Sequence, residues 1–315
     1  MPITAIATDS RVQSHNPGPG HPEQPARYSA VMNRLQSSGL LPRLLPVKVR
    51  RANDDELALV HGRSYIELVA REVAQGRRQL STGDTDIGEG SDEIARLASG
   101  CVLSAVDAVF SQTATNAFCL VRPPGHHAST SRGMGFCFFN HVAVAARYAQ
   151  SKHGAQRIAI VDWDVHHGNG TQDIFYEDGS VLFCSTHQSP WYPGTGAKDE
   201  RGEGKGADAT INCPFPAGSG RDEIIGAFRE LLLPAIDHFK PDLILISAGF
   251  DSRAGDPLGQ FLLTDEDFQQ LTNLMTDAAA RHCHGRLVSL LEGGYSLEGL
   301  ANGVEAHVKG LLEQR

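Results

Sequence analysis

The sequence predicts an α/β fold in which helices cover both faces of a doubly wound parallel sheet. Short, continuously apolar runs recur along the chain, as expected for strands that are buried on both faces. Segments with helical periodicity lie between these runs, and this alternation is typical of a parallel sheet. The 315 residues suit one large domain, and no repeat or linker divides the range 1–315.

The individual elements follow from these runs in chain order. Six strands are predicted at 3–8, 116–121, 157–163, 180–186, 242–249 and 286–294. Four helices are predicted at 91–112, with Ser91 as the N-cap, at 139–154, ending at Gly154, at 220–239 and at 263–285.

The composition is that of a globular protein, with 41% hydrophobic and 21% charged residues. The net charge of −9 argues against nucleic acid as a partner, because such binding needs clustered Lys and Arg. No apolar run approaches the roughly 20 residues that span a bilayer, so no membrane association is expected. The absence of a signal-like N-terminus and of any Cys-x-x-Cys pair favours a cytoplasmic protein.

Polar side chains follow several predicted strands where each strand ends. Asp162, Asp164 and His166 follow one apolar run, Asp251 follows a second, and Glu292 follows a third. Ligands bind at the carboxyl ends of the strands in such sheets, so these side chains are expected at one edge.

A metal site is predicted from the spacing of these residues. Asp164 and His166 are two positions apart and face the same side if the strand stays extended. A lone Asp-x-His favours a buried hydrogen-bonded pair, but a second strand-end acid and the pair 126–127 favour a metal. Catalytic zinc usually has three protein ligands, and Asp251 is the best third candidate.

The remaining histidines receive a different interpretation. His167 points away from the metal side of an extended strand and is interpreted as structural. The histidines in helical or polar surroundings are interpreted as surface or capping residues: His61, His153, His238, His282, His284 and His307.

At these residues the sequence resembles the histone deacetylase family, and in particular its class II branch with bacterial deacetylase-like amidohydrolases. The motifs occur in the order of the family: "GPGHPEQPAR" (18–27), "RPPGHHA" (122–128), "GMGFCFFN" (133–140), "DWDVHHGNGTQ" (162–172), "YPGTG" (192–196), "SAGFDSRAGDPLG" (247–259) and "EGGY" (292–295). The resemblance implies the arginase–deacetylase fold, a single catalytic domain around an eight-stranded parallel sheet.

The resemblance also implies the catalytic centre. One zinc ion per chain is expected on Asp164, His166 and Asp251, and the family's structural monovalent cation is a further expectation. The tandem histidines match His126 and His127, and the catalytic tyrosine matches Tyr295.

The family's acyl-lysine tunnel can be placed in the same way. Its aromatic walls match Phe136 and Tyr192, and the residue that closes it matches Leu258. Asp84 falls at the position of a rim aspartate that grips the substrate backbone, and Arg27 at a position lining an internal acetate channel.

Amide hydrolysis explains why these residue types occur together. His127 is predicted to take a proton from water and return it to the leaving amine, with His126 as its electrostatic partner. Tyr295 is predicted to donate a hydrogen bond to the developing oxyanion.

Two further side chains are expected behind the histidine pair. In the family pattern Asp162 supports His126 and favours its charged form. Asn169 stands behind His127 where some relatives have a second Asp. An amide orients the ring without adding charge, so His127 is expected to stay closer to neutral.

Three alternatives remain at this point. Ureohydrolases share the fold but use two manganese ions and need an acid where this chain has Gly249. A catalytically weak acetyl-lysine-binding protein would lack the tyrosine that is present here as Tyr295. The third open point is the substrate, for which protein acetyl-lysine, an acetylated polyamine and another small amide are the alternatives. The uncharged Leu258 favours an acyl-lysine over an acetylpolyamine, and the sequence leaves a homo-oligomer open.

Overall fold

A computed structural model of the chain describes residues 2–313. Within these residues, eight strands form one parallel sheet in the order β2-β1-β3-β8-β7-β4-β5-β6. The strands are β1 (Thr4–Thr8), β2 (Leu45–Pro46), β3 (Asn116–Leu120), β4 (Ile158–Asp162), β5 (Val181–Gln188), β6 (Thr210–Phe215), β7 (Leu243–Ala248) and β8 (Leu287–Leu291). The predicted fold class is confirmed, and β3, β4, β7 and β8 are completely buried.

The helices cover the sheet and connect its parallel strands. They are α1 (Ala26–Ser37), α2 (Asp54–Leu57), α3 (Arg63–Ala74), α4 (Ser91–Phe110), α5 (His141–His153), α6 (Asn169–Phe175), α7 (Arg221–Ala227), α8 (Leu233–Phe239), α9 (Asp265–Cys283) and α10 (Leu297–Leu312). A π-helical turn at Phe228–Leu232 joins α7 to α8, so the predicted helix 220–239 contains a bulge.

The predictions missed the two outermost strands, and the reason is physical. β2 has only two residues, and β6 contains Pro214 and has three partly exposed residues among its six. Edge strands are short, tolerate proline and lack the continuous apolar run by which central strands are recognised. The prediction of Ser91 as an N-cap is wrong by one residue. Gly90, with a φ of 73°, caps α4, and the Ser91 hydroxyl instead accepts a hydrogen bond from the Gly88 amide.

Two of the histidines interpreted as surface residues are buried. The Nδ1 atom of His61 lies 3.0 Å from the Ser129 carbonyl, and its Nε2 accepts a hydrogen bond from the Asn140 amide. His307 lies between the hydroxyls of Thr272 and Ser289, at 2.6 and 2.8 Å. Burial lowers the pKa of His61 to about 4 and that of His307 to about 3, so both are neutral parts of the core.

Candidate metal centre and active site

The three central strands β8, β7 and β4 are neighbours, so the segments after them meet at one edge of the sheet. β4 leads into Asp164 and His166, β7 into Asp251, and β8 into Glu292 and Tyr295. The predicted gathering of polar residues at this edge is therefore present in the structure.

Asp164, His166 and Asp251 form a compact buried cluster. One potential ligand atom from each lies within 4.8 Å of the others. The His166 Nδ1 is 2.9 Å from Asp164 Oδ1 and 3.3 Å from Asp251 Oδ2. The cluster thus offers one imidazole and two carboxylates around a common point, a donor set that suits zinc.

The environment of Asp251 supports a cation at this point. Its Oδ1 accepts a hydrogen bond from the Val165 amide at 2.9 Å, whereas its buried Oδ2 accepts none from the described residues. Burial and the negative charge of Asp164 raise the pKa of Asp251 to about 7. A divalent cation would satisfy the free oxygen and remove the repulsion between the two carboxylates.

Asp164 and His166 converge for a different structural reason from the one predicted from the sequence. β4 ends at Asp162, so Asp164 and His166 lie beyond the strand, where the chain bends. Asp162 Oδ1 accepts a hydrogen bond from the Asp164 amide, and Asp164 Oδ1 accepts one from the His166 amide. The two side chains still converge, but side-chain-to-backbone hydrogen bonds hold them in place rather than strand alternation.

Glycines allow the strand ends to approach this cluster. A Cβ atom on Gly249 would collide with the Asp164 carboxylate, and one on Gly293 would collide with both carboxylates. The position where a ureohydrolase needs a second acid therefore has no room for any side chain. Among residues 2–313, Asp164, His166 and Asp251 form the single cluster that could hold a metal.

The tandem histidines lie beside the cluster, with ring centroids 4.0 Å apart. The Nδ1 of His126 is 2.9 Å from Asp162 Oδ2, and the Nδ1 of His127 is 2.8 Å from Asn169 Oδ1. An amide oxygen can only accept, so Nδ1 of His127 carries the proton and its Nε2 keeps a lone pair.

The two histidines differ in charge. Burial lowers the pKa of His126, but the charges of Asp162 and Asp164 outweigh this effect and hold that pKa well above its ordinary value. Burial and the positive charges of His126 and His166 hold the pKa of His127 well below its ordinary value. One ring is thus an imidazolium and the other a neutral imidazole, which is the condition for a general base.

A cavity of about 250 Å³ opens above the cluster. It is lined by Asp84, His127, Gly135, Phe136, His166, Trp191, Tyr192, Leu258 and Tyr295. All four residues expected in the substrate tunnel are in this lining, together with Trp191, which the sequence analysis did not single out.

The aromatic walls are held at defined angles. The Tyr192 ring is perpendicular to that of His127 at a centroid distance of 5.2 Å, and the Phe136 ring is 6.0 Å from that of Tyr295. Phe136 has a φ of 67°, in the left-handed region that a bulky side chain rarely adopts. This strained backbone sets the direction of a cavity wall.

Asp84 connects the two walls at the mouth of the cavity. Its Oδ1 accepts a hydrogen bond from the Gly135 amide at 2.7 Å, and its Oδ2 accepts one from the Tyr192 hydroxyl at 3.0 Å. Asp84 is itself exposed, so its carboxylate is also accessible at the rim of the cavity.

Glu292 supports the histidine loop from behind, a role that the sequence analysis did not assign. Its Oε2 accepts hydrogen bonds from the Gly125 and His126 amides, at 2.7 and 3.2 Å. Burial raises its pKa to about 7. The acid after β8 thus fixes the backbone that carries the tandem histidines.

Arg27 lies under Tyr295 and is completely buried. Its Nε donates to the Gly294 carbonyl at 2.7 Å, and its guanidinium carbon is 5.0 Å from the centroid of the Tyr295 ring. Its Nη1 donates to Glu23, whose carboxylate also receives hydrogen bonds from Arg122. The side chain therefore packs against the Tyr295 ring and lies outside the lining of the cavity, and its place along an acetate channel stays a prediction.

His167 turns away from the metal cluster. It lies 2.7 Å from the Thr195 hydroxyl and 3.0 Å from Gln172 Oε1. Burial lowers its pKa to about 4, so the ring is neutral. Its contacts hold the segment after Tyr192 against α6, in keeping with a structural role.

The comparisons with known proteins agree with this geometry. The sequence profile of the family described as "Histone deacetylase domain" matches residues 21–311. The crystal structure of the HDA15 HD domain superposes with a TM-score of 0.94 at 39% identity, over 99% of this chain and 89% of that one.

Curated relatives match over most of this chain. A "Probable deacetylase" of Archaeoglobus fulgidus is 40% identical, covering 94% of this chain and 82% of the relative. A "Histone deacetylase-like amidohydrolase" of Pseudomonas aeruginosa is 42% identical, covering 88% and 73%. The human "Polyamine deacetylase HDAC10" is 43% identical over 92% of this chain and 44% of its own length.

No helix within residues 2–313 has the length and apolar character needed to cross a membrane. The cytoplasmic location, the monovalent cation, the homo-oligomer and the lack of nucleic-acid binding stay predictions.

The match of the family profile, the identity with curated deacetylases and the shared fold lead to one conclusion: the chain belongs to the histone deacetylase family.

Proposed function

We propose that this protein is a zinc-dependent amidohydrolase that removes acetyl or other short acyl groups from acyl-lysine-like substrates. The observation that carries the proposal is the buried cluster of Asp164, His166 and Asp251 at the base of an aromatic-walled cavity. His127 and Tyr295 line the same cavity, so a base and a hydrogen-bond donor face the space above the ligands.

A zinc ion on these three ligands would act as a Lewis acid toward the substrate carbonyl and the attacking water. The neutral His127 takes the proton of the water at Nε2 and later returns it to the leaving amine. The imidazolium of His126, held by Asp162, places a positive charge beside the forming oxyanion.

Tyr295 completes the arrangement from the opposite side. Burial holds the pKa of its hydroxyl well above the ordinary value, so the group remains a donor throughout the reaction. In the proposed mechanism this donor binds the oxygen that becomes negative in the transition state, where a hydrogen bond lowers the barrier most.

The shape of the cavity supports an acyl-lysine substrate. Phe136 and Tyr192 flank a channel suited to the four-carbon stem of lysine, and Leu258 at its side carries no charge. An acetylpolyamine is the second candidate, because a relative that is 43% identical is named a polyamine deacetylase. A polyamine carries a distal ammonium group, and Leu258 offers it no partner.

A substrate panel with and without metal tests this proposal. We expect acetyl-lysine peptides to be hydrolysed with a higher kcat/KM than acetylspermidine, and longer acyl-lysines to react more slowly as the chain fills the cavity. Chelation should abolish activity, and added zinc should restore it. Hydrolysis that survives complete metal removal would contradict the mechanism, and a preference for acetylspermidine would select the second candidate.

Replacing Asn169 with Asp should shift the pH dependence of the reaction. A carboxylate at Nδ1 of His127 stabilises the imidazolium and raises the pKa of the base. The acidic limb of the kcat/KM profile is therefore expected to move to higher pH by about one unit. An unchanged pH profile in the folded variant would show that Asn169 does not tune the base.

A further inference from the structure

The segment that follows Asp251 contains a second acid, Asp256, for which the mechanism above has no use. Its side chain is buried, and its carboxylate accepts three backbone hydrogen bonds. Oδ1 accepts from the Leu258 amide at 2.9 Å, while Oδ2 accepts from the Tyr295 amide at 2.7 Å and the Ser296 amide at 3.0 Å. Asp256 therefore connects the segment beside the cavity to the residue that carries the proposed donor.

The backbone at Tyr295 needs an anchor from another segment to hold the ring in place. It follows Gly293 and Gly294, and Gly294 has a φ of 117°, so the backbone before it has little intrinsic stiffness. Within residues 2–313, the Tyr295 hydroxyl makes no hydrogen bond that would hold the ring. The ring contacts Phe136 and Arg27, but the strongest anchor on the residue itself is the hydrogen bond that its backbone amide donates to Asp256.

The same segment reaches the mouth of the cavity. The Leu258 amide is held by Asp256, and the Leu258 carbonyl accepts a hydrogen bond from Trp191 Nε1 at 2.8 Å. Trp191, Leu258 and Tyr295 all line the cavity. One buried carboxylate thus sets the distance between the side of the cavity and the tyrosine at its base.

We infer that Asp256 is a positioning residue that fixes Tyr295 in its donor position and aligns it with the cavity wall at Leu258. The inference rests on the proposed function, since it gives Asp256 its effect through the Tyr295 hydroxyl. Asparagine is the informative replacement because it keeps the shape but has only one acceptor oxygen. Its NH₂ group would face amide donors, so at least one of the three bonds is lost.

A double-mutant cycle separates positioning from general support of the fold. Tyr295→Phe is expected to lower kcat by about 10²-fold, as for loss of one oxyanion donor. Asp256→Asn should lower kcat by about tenfold, because a small misplacement of a catalytic group is costly. In the Tyr295→Phe background, Asp256→Asn should lower kcat less than twofold, because the hydroxyl through which it acts is gone. A trifluoroacetyl-lysine substrate, with its more reactive carbonyl, keeps the slow variants measurable.

Asp267 provides the matched control. It is also a buried carboxylate, and its Oδ2 accepts hydrogen bonds from the Thr264 amide and hydroxyl at the start of α9. Asp267→Asn should lower Tm but leave kcat within twofold of the wild type. Asp256→Glu keeps both oxygens but displaces them by a methylene group, and it is measured in the same cycle. If Asp256→Asn does not fold, Asp256→Glu tests the positioning role in its place.

The outcomes distinguish a failure of the proposed function from a failure of the positioning role of Asp256. If the wild type does not hydrolyse the substrate, or Tyr295→Phe retains full activity, the proposed function is wrong. If Tyr295→Phe loses activity but the Asp256 effect is absent, or equally large in both backgrounds, the positioning role is wrong. Loss of bound zinc or of the fold in both Asp256 variants would also overturn it, because the carboxylate would then act through the structure as a whole.

Discussion

Asp251→Asn is expected to abolish zinc binding at micromolar metal and to lower kcat/KM by more than about 100-fold. Loss of a residue that merely orients a metal ligand already weakens affinity or activity by about 10–100-fold, and Asp251 is itself in the ligand cluster. Asparagine keeps the shape of the side chain and can still accept the hydrogen bond from the Val165 amide. The substitution therefore removes the charge and the free oxygen with little other change.

The stability of the same variant gives an independent measurement. The two buried carboxylates of Asp164 and Asp251 repel each other in the metal-free protein, and the raised pKa of Asp251 reflects this repulsion together with burial. Chelation should therefore lower the Tm of the wild type, because zinc binds only the folded site. The Tm of Asp251→Asn should not respond to chelator, and the variant should be at least as stable as the metal-free wild type.

Asp277→Asn is a suitable control for this experiment, because Asp277 is an exposed residue of α9. It should bind one zinc per chain and respond to chelator as the wild type does. Full zinc content or near-normal turnover in Asp251→Asn would show that the metal, if bound, uses other ligands.

The sequence predicts the central part of this site well because that information is local. Each central strand is a continuous apolar run, and the polar residues that follow it lie at the same edge whatever the detailed turn geometry. The prediction that Asp164 and His166 converge is therefore fulfilled even though β4 ends before both of them. The prediction was wrong about the extended strand that would bring the two side chains together, but right that they converge.

The contacts between distant segments could not be predicted in the same way. Asp256 and Tyr295 are 39 residues apart, and Asp84 and Tyr192 are 108 apart. No periodicity or spacing links such pairs, and an acid in a glycine-rich segment has the composition of a surface loop. The burial of His61 and His307 was missed for a related reason, since their partners come from other elements of the fold.

His127→Gln is expected to lower kcat by about 10²–10⁴-fold, the range of a lost general base, with KM nearly unchanged. His126→Gln should have a smaller effect, because the imidazolium of His126 stabilises charge but transfers no proton in the proposed mechanism. We expect the larger loss for His127→Gln because the pKa of His127 is lowered, which leaves a lone pair on its ring. The pKa of His126 is raised, so both of its ring nitrogens carry a proton.

The pH profile of His126→Gln distinguishes these roles more sharply than the rates do. The charge of His126 is one of the causes that lower the pKa of His127, and Asp162 loses its cationic partner in the variant. Both changes favour protonation of His127, so the acidic limb of kcat/KM should move to higher pH. His153→Gln, at a half-buried imidazole that pairs with Asp107 away from the cavity, should leave the profile unchanged. If His126→Gln proved slower than His127→Gln, the general base would be His126. An acidic limb that moved to lower pH would show that the charge of His126 does not lower the pKa of His127.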